Sequence, residues 1–179
     1  MTNLLTKDGR QFIIRIPTEN DAQNIIDFAK VLFSSTDQVL TTLEEYTITL
    51  ENEKKWINNS TENIDTIILI AELKNQVIGL LDFSCKPKKK NAHTGEFGVS
   101  VHPDFQGIGI GRHLIENLIN WARDNQHIEK VFLNVLDTNK NAIKLYKELG
   151  FLEEGRHIKA IKQLTGEYVD IIQMYIWTK

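Results

Sequence analysis

Between Thr94 and Arg123 the chain changes its hydrophobic period within a dozen residues, and that change narrows the fold more than any other feature. Phe97, Val99 and Val101 alternate with Glu96, Gly98 and Ser100, the two-residue repeat of a strand with two chemically different faces. Pro103 stops that strand. Leu114, Ile115, Leu118, Ile119 and Ala122 then recur at helical spacing. Between the two lie Gln106, Gly107, Ile108, Gly109, Ile110 and Gly111, with a glycine at every second position. A strand entering a helix through such a turn leaves the first helical N–H groups without intrahelical partners, and anions bind there.

The rest of the chain reads as alternating elements. Phe12–Ile16 predicts a strand closed by Pro17. Thr18 with Asp21 marks a helix start, followed by Ala22, Ile25, Ile26, Ala29 and Phe33 on one face. A second helical stretch, capped by Thr42 and Glu45, reaches Trp56 and Ile57. Residues 66–71 and 77–83 are β-rich runs around Lys74, Asn75 and Gln76, which predicts an antiparallel hairpin. Val131–Leu136 is a strand. Ala142, Leu145, Tyr146 and Leu149 share a helix face that Gly150 ends, and two late strands run over residues 151–159 and 168–177. The class is mixed α/β, and 179 residues without repeats or linkers suit one domain over 1–179.

Charge and cysteine content remove several functions. A net charge of −3 gives no basic field for nucleic acid. Lys86, Lys88, Lys89 and Lys90 read as a solvated loop. No apolar run reaches membrane-spanning length and the first ten residues do not resemble a secretion signal, so no membrane partner and a cytoplasmic location are expected. Cys85 stands alone and is either a strand residue or a nucleophile lacking an evident activator. The five histidines show no paired ligand spacing, so no metal is expected.

Three phosphate-binding designs compete for the glycine turn. A P-loop would continue Gly-Lys-Ser/Thr, whereas this chain has Gly111, Arg112 and His113. A dinucleotide fingerprint would need its third glycine where Arg112 stands. The third is Gln106-x-x-Gly109-x-Gly111, and here the chain resembles the GCN5-related N-acetyltransferase (GNAT) family, whose pyrophosphate loop for acetyl-coenzyme A (acetyl-CoA) carries that pattern. A second stretch, Asn139-x-x-Ala142-x-x-Leu145-Tyr146-x-x-x-Gly150-Phe151, is similar to the family's other coenzyme-side motif. Residues 95–111 and 166–177 are closest in flavour to bacterial acetyltransferases of ribosomal proteins and small amines.

The resemblance implies a mixed, mostly antiparallel twisted sheet flanked by helices and splayed where acetyl-CoA enters. It implies an N-acetyltransferase that passes the acetyl group directly to a primary amine in a ternary complex. The coenzyme-binding residues would be Val99, Val101, Gln106, Gly107, Ile108, Gly109, Ile110, Gly111, Arg112, Asn134 and Asn139. Tyr146 matches the position of a phenol near the coenzyme sulfur, or is a core tyrosine. Glu96 is a candidate general base, or a solvated glutamate, with His102 and His93 behind it. Asn139 either caps a helix or bonds the coenzyme. Asn134 is a polar residue inside an apolar strand and needs a partner if buried. Homodimers are common in the family. The rival reading is a non-catalytic acyl-CoA binding or sensing module, which would keep the glycines without needing proton-transfer groups.

Overall fold

The computed structural model describes residues 3–179; Met1 and Thr2 of the opening segment lie outside the described residues. The strands are β1 (Asn3–Leu5), β2 (Gln11–Arg15), β3 (Thr66–Leu73), β4 (Gln76–Cys85), β5 (Thr94–Val101), β6 (Lys130–Leu136), β7 (Leu152–Lys162) and β8 (Tyr168–Trp177). The helices are α1 (Ala22–Ser35), α2 (Leu50–Glu62), α3 (Ile110–Asp124) and α4 (Lys140–Glu148). The strand order is β1-β2-β3-β4-β5-β6-β8-β7. The sheet is mostly antiparallel, and β5 and β6 pair in parallel. This is the expected α/β class.

Two compact units make up the chain. The first is Met1–Ser84 with Gly98–Leu118, and the second is Cys85–Phe97 with Ile119–Lys179.

In the first unit, the α1 stripe of Ala22, Ile25, Phe28 and Leu32 packs with Ile57 of α2 against Ile70 and Val77. The β3–β4 hairpin turns through Lys74 and Asn75, both at positive φ (50° and 63°), as a two-residue turn requires. Ala71 pairs with Gly79 but Glu72 pairs with Val77, so Ile78 is an extra residue on β4. That bulge lets Val77 face α1 while Gly79 faces α3. A Cβ on Gly79 would lie 3.0 Å from both Ile110 Cγ2 and Leu114 Cδ1. The carbonyl of Ile78 is satisfied by the N–H of His102, at 2.9 Å.

The second unit is built on β6. Its Val131, Phe132, Leu133, Val135 and Leu136 are buried, together with Phe97, Ile143, Tyr146, Phe151, Ile172 and Met174. The β5–β6 ladder joins Thr94–Glu96 to Lys130–Phe132. Strand β6 continues its antiparallel pairing with β8 as far as Leu136.

Two details, at the start of α2 and at Gly111, differ from the sequence expectation. Thr42 and Glu45 do form reciprocal bonds, with Thr42 N–H reaching Glu45 Oε2 at 2.9 Å, but they close an isolated turn. Helix α2 starts later, where Thr49 Oγ1 accepts from Asn52 N–H at 3.2 Å. Gly111 lies inside the first turn of α3 and not ahead of it. Cys85 is half-buried at the end of β4.

Candidate functional site

In the first unit, the loop from Val101 to Ile110 is held by its own short bonds. His102 Nδ1 accepts the Asp104 N–H at 3.3 Å, capping a 3-10 turn at Pro103–Phe105. Gln106 spends its side-chain amide on the Val101 carbonyl, 3.1 Å away. The Ile108 carbonyl accepts from Lys7 N–H at 3.0 Å, which ties the loop to the β1–β2 turn, and Arg10 lies 4.8 Å from the Phe105 ring centroid.

Gly107 and Gly109 have φ of +76° and +101°, values that side-chain-bearing residues avoid. Open space stands where a Gly107 Cβ would be, and a Gly109 Cβ would meet nothing nearer than Lys7 Cγ at 4.0 Å. The N–H groups of Gly109, Ile110 and Gly111 make no bond among the described residues. An open, glycine-lined run of donors at the start of a helix of 15 residues fits a diphosphate. Val99, Val101 and Arg112 are half-buried.

In the second unit, Glu96 on β5 is doubly held. Its Oε1 accepts from Asn134 Nδ2 at 2.8 Å, and Lys86 Nζ sits 2.9 Å from its Oε2. Lys86 also lies 4.9 Å from the Phe132 ring centroid. Lys86 is therefore not part of a solvated lysine loop. A hint was present in the sequence: a strand ending at Cys85 and another beginning at Thr94 make Lys86 and Glu96 neighbours if the intervening loop doubles back, as the Lys86 N–H to Thr94 carbonyl bond of 2.9 Å shows. Asn134 is exposed, so its partner is not demanded by burial. Asn139 Oδ1 accepts the Ala142 N–H at 3.2 Å, the helix-capping role.

Tyr146 is 7 % exposed. Its ring meets Phe97 edge-on at 6.1 Å and Phe151 at 5.9 Å. Burial pushes its phenol up to about 12. The hydroxyl makes no hydrogen bond among the described residues. A phenol in this state keeps its proton through the physiological range and so remains a hydrogen-bond donor. Among the predicted residues, the structure thus brings Glu96 to Asn134 and Gln106 to Val101, while Asn139 serves α4.

Residues 32–151 match the family model described as the acetyltransferase (GNAT) family. A spermidine N(1)-acetyltransferase of Vibrio cholerae is 28% identical over 127 residues, covering 70% of this chain and 71% of that one. An acetyltransferase of Streptococcus pneumoniae has the same fold, with a TM-score of 0.90, 23% identity and coverage of 93% and 99% of the two chains. A Salmonella typhimurium chain whose structure holds acetyl-CoA superposes with a TM-score of 0.83 at 22% identity, covering 94% of each.

Proposed function

The chain belongs to the GNAT family of acetyltransferases, and from that premise we propose that it transfers the acetyl group of acetyl-CoA directly to a primary amine within a ternary complex. The observation that carries this reading is Tyr146: a buried phenol that holds its proton to about 12 and bonds to nothing else among the described residues.

The open N–H groups from Gly109 to Gly111 bind the diphosphate, and Arg112 adds charge beside them. Val99 and Val101, beyond the β5–β6 ladder, line the pantetheine arm. When bound, acetyl-CoA supplies a thioester whose acyl carbon an amine can attack.

An alkylamine with a solution pKa near ~10.4 is protonated at neutral pH and must lose that proton before attack. Glu96 takes it, directly or through one water; Lys86 and Asn134 fix the carboxylate while leaving lone pairs on both oxygens. The N–C bond forms as the C–S bond breaks, and the acylated nitrogen loses its second proton to water. Tyr146 steadies the departing thiolate by a hydrogen bond, and the thiolate takes its proton from water. Glu96 returns its proton to solvent, and Cys85 takes no part.

The test is thiol release from acetyl-CoA over a panel of amines, amino acids and N-terminal peptides, with wild type and Tyr146→Phe. Turnover on one acceptor class that falls by about 10²-fold or more in the Phe variant supports the reading. Tight coenzyme binding with no transfer to any acceptor, in both proteins, would replace it with the acyl-CoA sensing module.

A further inference from the structure

A cavity of about 340 Å³ opens in the first unit between α1 and the β3–β4 turn, and acetyl transfer as derived above makes no use of it. Its size falls within the roughly 300–1,000 Å³ of small-molecule sites. Helix α1 supplies Asn24, Asp27 and Phe28, the turn supplies Asn75 and Gln76, and His102, just past β5, completes the wall. None of the coenzyme-loop residues from Gln106 to Gly111 lines it.

His102 is the buried polar group of that wall, 8 % exposed. Its backbone N–H bonds the Ile78 carbonyl at 2.9 Å, and its ring meets Phe105 edge-on at 5.5 Å and Phe28 at 6.5 Å. Nδ1 accepts the Asp104 N–H at 3.3 Å, while the Asp104 carboxylate stands farther off at 3.9 Å. A ring nitrogen that accepts is unprotonated, so the imidazole proton sits on Nε2. Nε2 has no partner among the described residues. It is nonetheless open to solvent, because Asn91 Oδ1 is the one unpartnered side-chain polar atom sealed from solvent among those residues. A fixed and reachable N–H donor therefore belongs to the cavity wall.

The rim carries the complementary group. Asp27 Oδ1 accepts from Gln23 Nε2 at 2.9 Å, and Oδ2 makes no bond among the described residues. Neither lysine nor arginine lines the cavity, so Asp27 sets its charge and favours a cation. A ligand carboxylate would meet that charge with no cation to offset it. The oxygen that suits His102 is thus a neutral one. Buried Phe28 offers an apolar surface, and the side-chain amides of Asn24, Asn75 and Gln76, unbonded among the described residues, can donate or accept.

We propose that this cavity binds a small amine that also carries a neutral carbonyl oxygen, the chemistry of an α-amino amide. The ammonium group meets Asp27, the carbonyl oxygen accepts from His102 Nε2–H, and an apolar side chain covers Phe28. The same molecule acetylated on its amine would bring no charge to Asp27.

Calorimetric titration with L-leucinamide, without acetyl-CoA, tests the site, with N-acetyl-L-leucinamide as the uncharged control and L-leucine as the control ending in a carboxylate. Wild type should bind leucinamide at least tenfold more tightly than either control. Asp27→Asn, which keeps an acceptor for Gln23, should weaken leucinamide binding at least tenfold. Glu51→Gln, which removes an exposed carboxylate of α2, should leave it unchanged. Saturating leucinamide should also shift the His102 Nε2 resonance in ring-nitrogen NMR of the wild type.

No binding of leucinamide by wild type, controls that bind equally well, or an Asp27→Asn protein within twofold of wild type would each overturn the site. So would an equal loss in Glu51→Gln, or binding that leaves the His102 resonance in place. If leucinamide binds as expected and no acceptor releases thiol from acetyl-CoA, the transferase reading fails while this site stands. Thiol release by a protein that does not bind leucinamide has the opposite meaning.

Discussion

Glu96 and Asn134, 38 positions apart, meet at 2.8 Å because β5 and β6 pair in parallel only beside them, with Glu96 opposite Phe132. Lys86 holds the other carboxylate oxygen, so the side chain is fixed at both ends of its charge. In an exposed site such fixation contributes little stability. Its value is orientation.

For that reason Glu96→Gln should lower kcat by about 10²-fold, in the range of a lost general base. Asn134→Ala, which keeps the carboxylate but frees its orientation, should lower kcat by roughly tenfold with the KM for acetyl-CoA unchanged. Steady-state thiol release measures both, and an Asn134→Ala enzyme with wild-type kcat would remove the positioning role.

Tyr146 should keep its proton far into the alkaline range. With its phenol at about 12, the hydrogen-bond-donating form persists below that pH, and kcat should show no descending limb up to pH 10. A limb near pH 9 that disappears in Tyr146→Phe would contradict this.

Asp21 gives the protein a defined acid sensitivity. The bonds from Arg15 hold its carboxyl down at about 2. Unfolded Asp titrates near ~3.9. The folded value is the lower one, so the stabilisation is complete above roughly pH 4 and is lost as the pH falls toward 2. Asp21→Asn should lower Tm at pH 7 and flatten its fall between pH 4 and 2, as calorimetry across that window would record. An unchanged slope would place the acid-sensitive group elsewhere.

Gly109→Ala should weaken acetyl-CoA binding. At φ of +101° a side chain costs on the order of 1–2 kcal/mol, so the turn would relax and its donors would lose alignment. Calorimetric titration with the coenzyme checks this, with Gly155→Ala, whose added Cβ meets nothing within 4 Å, as a control that should bind normally.

Gly79→Ala should act on stability instead. The added methyl would press on Ile110 and Leu114 at 3.0 Å and on Ala71 at 3.3 Å, a crowding that costs about 1–3 kcal/mol in a packed interior. A thermal melt within a degree of wild type would show that α3 shifts to accommodate it.

The order of elements was legible because it is written locally. The two-residue repeat of β5, the glycine turn and the α3 stripe follow one another in sequence, and Gly150, at φ of +92°, ends α4 where its residue type predicts. Asn139 as a helix cap is likewise a short-range matter, settled by a bond to Ala142 three residues on. Local signals also misled: Thr42 and Glu45 have the chemistry of a helix start, yet the apolar repeat that would continue it begins only after Thr49.

The sequence by itself determined the strand-turn-helix segment and carries the two family motifs, since each depends on neighbours a few positions apart. Tertiary structure decided the electrostatics. Lys86 is a loop lysine in sequence and the counter-ion of Glu96 in space. Glu53 looks like any solvated helix glutamate until α2 packs and buries it. Which charge pairs with which depends on strand register and helix rotation, and these are set by the burial of whole apolar faces rather than by the charged residues themselves.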